Sequence, residues 1–122
     1  MYYPILFHLI SDCDYVIHVA KSHIGEIEKN QDLEGTQSVL RACNDFDLKK
    51  CIFTIDHRNI WNYNNIKETY NETDFAIADN TMNIYETTNI QIEEMIWDFK
   101  KILSEDSKLE LVIMLPGFLL GK

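Results

Sequence analysis

The sequence predicts an α/β chain built on a parallel sheet of about three strands with flanking helices. Two patterns predict it. Residues 14–20, 51–55 and 109–115 form short, almost continuous apolar runs rich in β-branched residues, as in strands covered on both faces. Between these runs, apolar residues repeat at helical spacing. Strands alternating with helices need crossover connections, and therefore pair in parallel.

Taken in order, Pro4 opens a short helix, because its missing N–H costs nothing at a first helical position. Ile5, Leu6, Leu9 and Ile10 give that helix its apolar side, and Ser11-Asp12 ends it. The first strand follows at 14–20. Residues 21–34 are polar and charged and read as a loop or an exposed helix. Gly35-Thr36 then precede a stripe of Val39, Leu40, Cys43 and Phe46. The second strand, 51–55, ends at Asp56. Residues 57–83 are rich in Asn and Asp without periodicity, an irregular loop of which Trp61, Tyr63, Tyr70 and Phe75 suggest that some part packs down. From Ile84, the residues Ile92, Met95, Ile96, Phe99 and Leu103 mark a helix of roughly 20 residues. Glu93, Glu94, Asp98, Lys100 and Lys101 form its wet face. The third strand, 109–115, stops at Pro116-Gly117, which a central strand does not tolerate. One partial domain spans residues 1–122.

With 122 residues, 20 acidic and 11 basic, the net charge is −9 and the pI about 4.7. That balance opposes nucleic acid and anionic membrane surfaces. No apolar run approaches the roughly 18 residues of a membrane span, and the first residues lack the features of a signal peptide. The three cysteines, Cys13, Cys43 and Cys51, show no CxxC pairing. They read as buried free thiols in a reducing, cytoplasmic compartment. His8, His18, His23 and His57 lack metal-type spacing, so no metal site is expected.

Several motifs fall at strand ends. Residues 13–20, CDYVIHVA, resemble the CDxVxHxA strand of extended short-chain dehydrogenases/reductases. Gly35-Thr36 with Val39-Leu40 and Ala42-Cys43 resemble the GTxNVLxAC helix of that family, with Ser38 where Asn is usual. Lys49 to Thr54 resemble its KRVVFTSS strand. Tyr85 and the helix carrying Trp97-Asp98-Phe99 resemble its active-site tyrosine helix. Residues 109–121, LELVIMLPGFLLG, resemble LELVTINPGFVLGP. The similarity is nearest to the dihydroflavonol reductase, cinnamoyl-CoA reductase and 3β-hydroxysteroid dehydrogenase branches. It covers only the central part of such a protein.

The resemblance implies a partial Rossmann-type sheet lacking the first βαβ unit and its G-x-G-x-x-G turn. None of the four glycines (Gly25, Gly35, Gly117, Gly121) forms that fingerprint, whose backbone would approach a pyrophosphate. It also implies an NAD(P)(H)-dependent oxidoreductase of CH–OH and carbonyl groups, with Tyr85 as proton donor. Val19, Ala20, Thr54, Tyr85, Pro116, Gly117 and Phe118 would face the cofactor. The family's lysine position is Asn89, and its serine position is Asp56. Asn89 carries no charge, and losing the ammonium forfeits on the order of 10³ in rate. An ionised Asp56 would repel a phenolate. His18 reads as scaffold. The expectation is a degenerate site, weak or absent NAD(P) binding and inactivity as an isolated chain. The alternative is a non-catalytic remnant or interaction scaffold. Exchanging Asn89 for Lys and Asp56 for Ser would then restore reduction in a complete scaffold. An exposed sheet edge would favour self-association.

Overall fold

The computed structural model describes residues 3–21, 26–61, 66–117 and 119–121. Helix α1 (Tyr3–Ile10) leads into strand β1 (Tyr15–His18). Helix α2 (Glu26–Asp45) and strand β2 (Lys50–Thr54) follow. A short 3-10 turn (His57–Ile60), helix α3 (Ile84–Ile102) and strand β3 (Glu110–Met114) complete the order. The sheet runs β1-β2-β3 with both pairings parallel. This is the partial Rossmann-type α/β arrangement the sequence predicts.

The helices cover one face of the sheet. Cys51, Phe53 and Leu111 point into it and join Val39, Leu40, Cys43, Ile92 and Ile96 in a single core. Helix α1 closes the end of α2, with the Phe7 and Phe46 rings edge to face at 4.6 Å. Among the described residues, the opposite face stays largely uncovered. Tyr15 and Ile17 of β1 are 61% and 65% exposed, and Met114 of β3 is 51% exposed. The apolar run at 14–20 is therefore not a strand covered on both faces. Its regular part is four residues long, β1 is an edge, and Val19 and Ala20 lie beyond it. A run of β-branched residues marks a strand, but it does not report how many layers cover the strand.

Helix α2 starts before the Gly35-Thr36 motif. Gly35 lies inside the helix, with nothing within 4 Å of where a Cβ would stand. Good helix formers on both sides carry the helix through the glycine. At its C-terminus the Leu48 N–H donates to the Cys43 carbonyl, and the Asp47 N–H to the Asn44 carbonyl. Asp47 takes the left-handed conformation this motif requires, φ 52, and Leu48 is buried behind it.

Other expectations are corrected in the same way. Cys13 is exposed, whereas Cys43 and Cys51 are buried free thiols. Part of the irregular loop packs down: Asn59 and Ala76 are buried, Tyr70 is half-buried and Trp61 meets the His57 ring edge to face at 4.9 Å, whereas Phe75 stays half exposed. Tyr63 lies outside the described residues. Glu93, expected on the wet face of α3, is buried. Among the described residues no helix is long and apolar enough to cross a membrane. Nor do any three His, Cys, Asp or Glu side chains gather as a metal site.

Candidate active site

Parallel pairing brings the C-terminal ends of all three strands to one edge of the sheet. Val19, Ala20 and Lys21 follow β1, Ile55 and Asp56 follow β2, and Pro116 and Gly117 follow β3. Thr54 ties two of these ends together, its Oγ1 donating to the His18 carbonyl at 3.4 Å. Crevices outside such strand ends are where open α/β sheets bind ligands. Phe118 lies outside the described residues.

Helix α3 places Tyr85 at this edge. Its N-cap is Asn83, whose side chain accepts from the Glu86 N–H while the Glu86 carboxylate accepts from the Asn83 N–H, a reciprocal capping box. Tyr85 sits in the first turn. Its hydroxyl reaches Oδ2 of Asp56 at 3.4 Å, with the phenol as donor. The expected meeting of residues 56 and 85 thus occurs, although they are far apart in sequence.

Asp56 is firmly held. Its Oδ1 accepts from the Arg58 N–H at 2.9 Å and from Arg58 Nε at 3.0 Å, and its Oδ2 accepts from Arg58 Nη2 at 2.8 Å. These bonds hold its carboxyl down at about 2, against the opposing effect of burial. Asp56 is therefore an anion at neutral pH and cannot donate to a carbonyl as a serine would. Arg58 also donates from Nη1 to Glu86 at 3.1 Å. One guanidinium thus links the end of β2 to the cap of α3, the planar bidentate role for which Arg is suited. Its Cζ lies 5.3 Å from the centre of the Tyr85 ring.

Asn89 faces the interior. It is 2% exposed and lines a cavity of about 10 Å³ with Arg58, Asn59, Met82, Glu86 and Ile90. Its carbonyl accepts from Asn59 Nδ2 at 3.0 Å, and the same Nδ2 donates to Glu93 at 2.8 Å. Burial raises the Glu93 carboxyl, opposed by that hydrogen bond. Burial also lowers His18, whose ring lies 5.5 Å from that of Phe53, in keeping with a scaffold role.

Three participants are absent from the sequence expectation. Arg58 and Asn59 sit in a stretch with no pattern to read. The third, Lys21, places its Nζ 5.5 Å from the centre of the Tyr85 ring. A carboxylate followed two positions later by Arg was the one available signal, because such a pair caps a short turn locally.

The residues that the resemblance would set against a nicotinamide, among them Val19, Ala20, Pro116 and Gly117, are small or apolar and follow the strand ends. A phosphate cradle is not found among the described residues: Gly35 is inside α2, and Gly117 and Gly121 follow β3.

The sequence matches no protein-family profile and no curated protein. Its fold is similar to that of UDP-glucose 4-epimerase from Thermotoga maritima, solved with UDP-glucose, with TM-score 0.69 and 19% identity over 93% of this chain and 37% of that one. A GDP-L-fucose synthetase from Naegleria fowleri bound to NADP gives TM-score 0.67 and 18% identity, covering 88% and 35%. UDP-N-acetylglucosamine 4-epimerase from Bacillus cereus gives 0.64 and 18%, covering 90% and 37%. This chain spans little more than a third of the length of these enzymes. At such identities the likeness is one of fold.

Proposed function

We propose that the chain is the tyrosine-bearing part of an NAD(P)(H)-dependent oxidoreductase unit acting on CH–OH or carbonyl groups, of the dihydroflavonol reductase kind, and that it does not turn over alone. The observation that carries this reading is the Tyr85 hydroxyl at the strand ends, oriented by Asp56. A phenol there can pass its proton to an oxygen bound above the sheet, and the anionic Asp56 then takes part only by orienting it. The fold likeness to enzymes solved with NADP or sugar nucleotides supports the reading. With no phosphate cradle among the described residues, the chain by itself is expected to bind NAD(P) weakly or not at all.

The test is a chimera. Residues 3–121 replace the corresponding segment of a complete reductase of this fold, and NADPH-dependent carbonyl reduction is measured. Reduction that falls at least 100-fold in Tyr85→Phe supports the reading. A chimera that binds NADPH yet shows no reduction dependent on Tyr85 overturns it.

A second reading, a non-catalytic scaffold or pseudoenzyme in the cytoplasm, has its own observation. At the positions that the resemblance aligns with the serine and the lysine, Asp56 is held by Arg58, which also reaches Glu86, and Asn89 is buried. It predicts an inactive chimera that Asn89→Lys with Asp56→Ser revives.

A further inference from the structure

We propose that Lys21 supplies the ammonium of the Tyr85 site, from the loop after β1 instead of from α3. The proposal rests on reading Tyr85 as the site's proton donor, and it changes where the cation comes from. Position 89, one turn beyond Tyr85, is turned inward. Lys21 approaches the same ring from the sheet side, with Nζ 5.5 Å from its centre. The amine is shut off from solvent and has no hydrogen-bond partner among the described residues.

A lysine amine with three donors and no acceptor is expensive to bury. A purely structural lysine would lay its stem along the protein and keep its head in water. Here the head is inside. Among the described residues, the charged and titratable groups around it are His18 on β1, Asp32 on α2, Asp56 after β2 and Tyr85 on α3. Asp32 and Asp56 favour the charged amine, yet desolvation outweighs them and holds it at about 8. An ammonium over the ring, 5.5 Å from its centre, attracts the negative charge that appears when the phenol O–H bond breaks, the proton goes to a ligand oxygen and the electron pair stays with the phenolate. An opposite charge within about 4–6 Å favours that anion.

Two measurements on the full chain test this. In the first, the amines are followed by carbon-detected NMR of ¹³Cε-lysine, with Lys21 assigned through Lys21→Arg. Lys21 is expected to titrate near 8, and Asp56→Asn to lower its midpoint further by removing an attractive charge. A Lys21 that titrates with the exposed lysines near 10.4 overturns the proposal. In the second, tetranitromethane at pH 8 nitrates phenolates, and peptide mapping reads the rate at Tyr85. Lys21→Met, which keeps an apolar stem, is expected to slow nitration at least threefold, and Lys21→Arg to restore it. A wild-type rate in Lys21→Met, or an equal loss in Lys21→Arg, overturns the proposal. Neither measurement needs a nicotinamide. Nitration that follows Lys21 beside an inactive chimera keeps the pairing and sinks the oxidoreductase reading; the reverse result sinks the pairing alone.

Discussion

The two faces of the sheet are built from similar residues and meet opposite surroundings. On one face Cys51, Phe53 and Leu111 are nearly inaccessible beneath α2 and α3. On the other, Tyr15, Ile17 and Met114 lie more than half exposed, with half-buried Ile52 and Val112 between them. Side chains alternate along a strand, so each strand sends two or three to each face. The difference teaches that strand propensity and burial are separate properties. The β-branched residues fix where strands form, and the helical stripes of α2 and α3 decide which face becomes core.

The largest expected effect breaks the covered face. Phe53→Ala should cost about 3–5 kcal/mol, whereas Ile17→Ala should cost less than about 1 kcal/mol. Urea unfolding of the two variants checks this, and equal losses would mean the bare face is covered in solution. Next, Asn89→Lys adds a long cation where the adjoining cavity is only about 10 Å³. It should cost on the order of 2 kcal/mol by overpacking, seen as a lower thermal midpoint.

A smaller effect lies at the strand ends. Hydrogen bonds from Arg58 hold the Asp56 carboxyl at about 2, below the roughly 3.9 of an unfolded chain. Its stabilising contribution is therefore complete above about pH 4 and is lost as the pH falls toward 2. Stability against pH for Asp56→Asn should run below wild type at neutral pH and converge with it near pH 2. Asp47→Gly should add about 0.5–1 kcal/mol, because glycine takes φ 52 without a Cβ clash. The smallest change in stability, within about 0.5 kcal/mol, is expected for Ile17→Lys. Its effect falls on assembly. The bare face and the open edge of β1 favour pairing with a second copy, so wild type should sediment partly as a dimer at tens of micromolar. The variant should sediment as a monomer, and identical profiles would remove the edge as an association site.

Much of this fold is legible in the residues. The three strands and α3 are readable because period and composition agree along each of them. The meeting of Tyr85 with Asp56 follows from the resemblance, which sets the start of α3 beside the end of β2. The rest depends on partners far away in sequence. Glu93 carries a charge and so reads as wet, but Asn59 arrives from the irregular loop to hydrogen-bond it inside. Arg58 sits among Asn and Asp residues with no period, and only the folded chain reveals that it joins Asp56 to Glu86. Lys21 lies in a polar stretch where a lysine ordinarily means solvent. In each case a long-range contact overrides a local signal.

The sheet register has a consequence in time. Residue 15 pairs with residue 50, and residue 50 with residue 110. No strand has a neighbour it can find through a tight turn. Chain must close over long loops before the first ladder bond rewards it, which slows folding relative to helical chains of equal size. Helices α2 and α3 can form locally while the strands still wait. During that interval all the β-branched runs stand open to water, those bound for the core as well as those that remain bare. Refolding yield should therefore fall steeply with protein concentration, because the search for the register competes with encounters between chains.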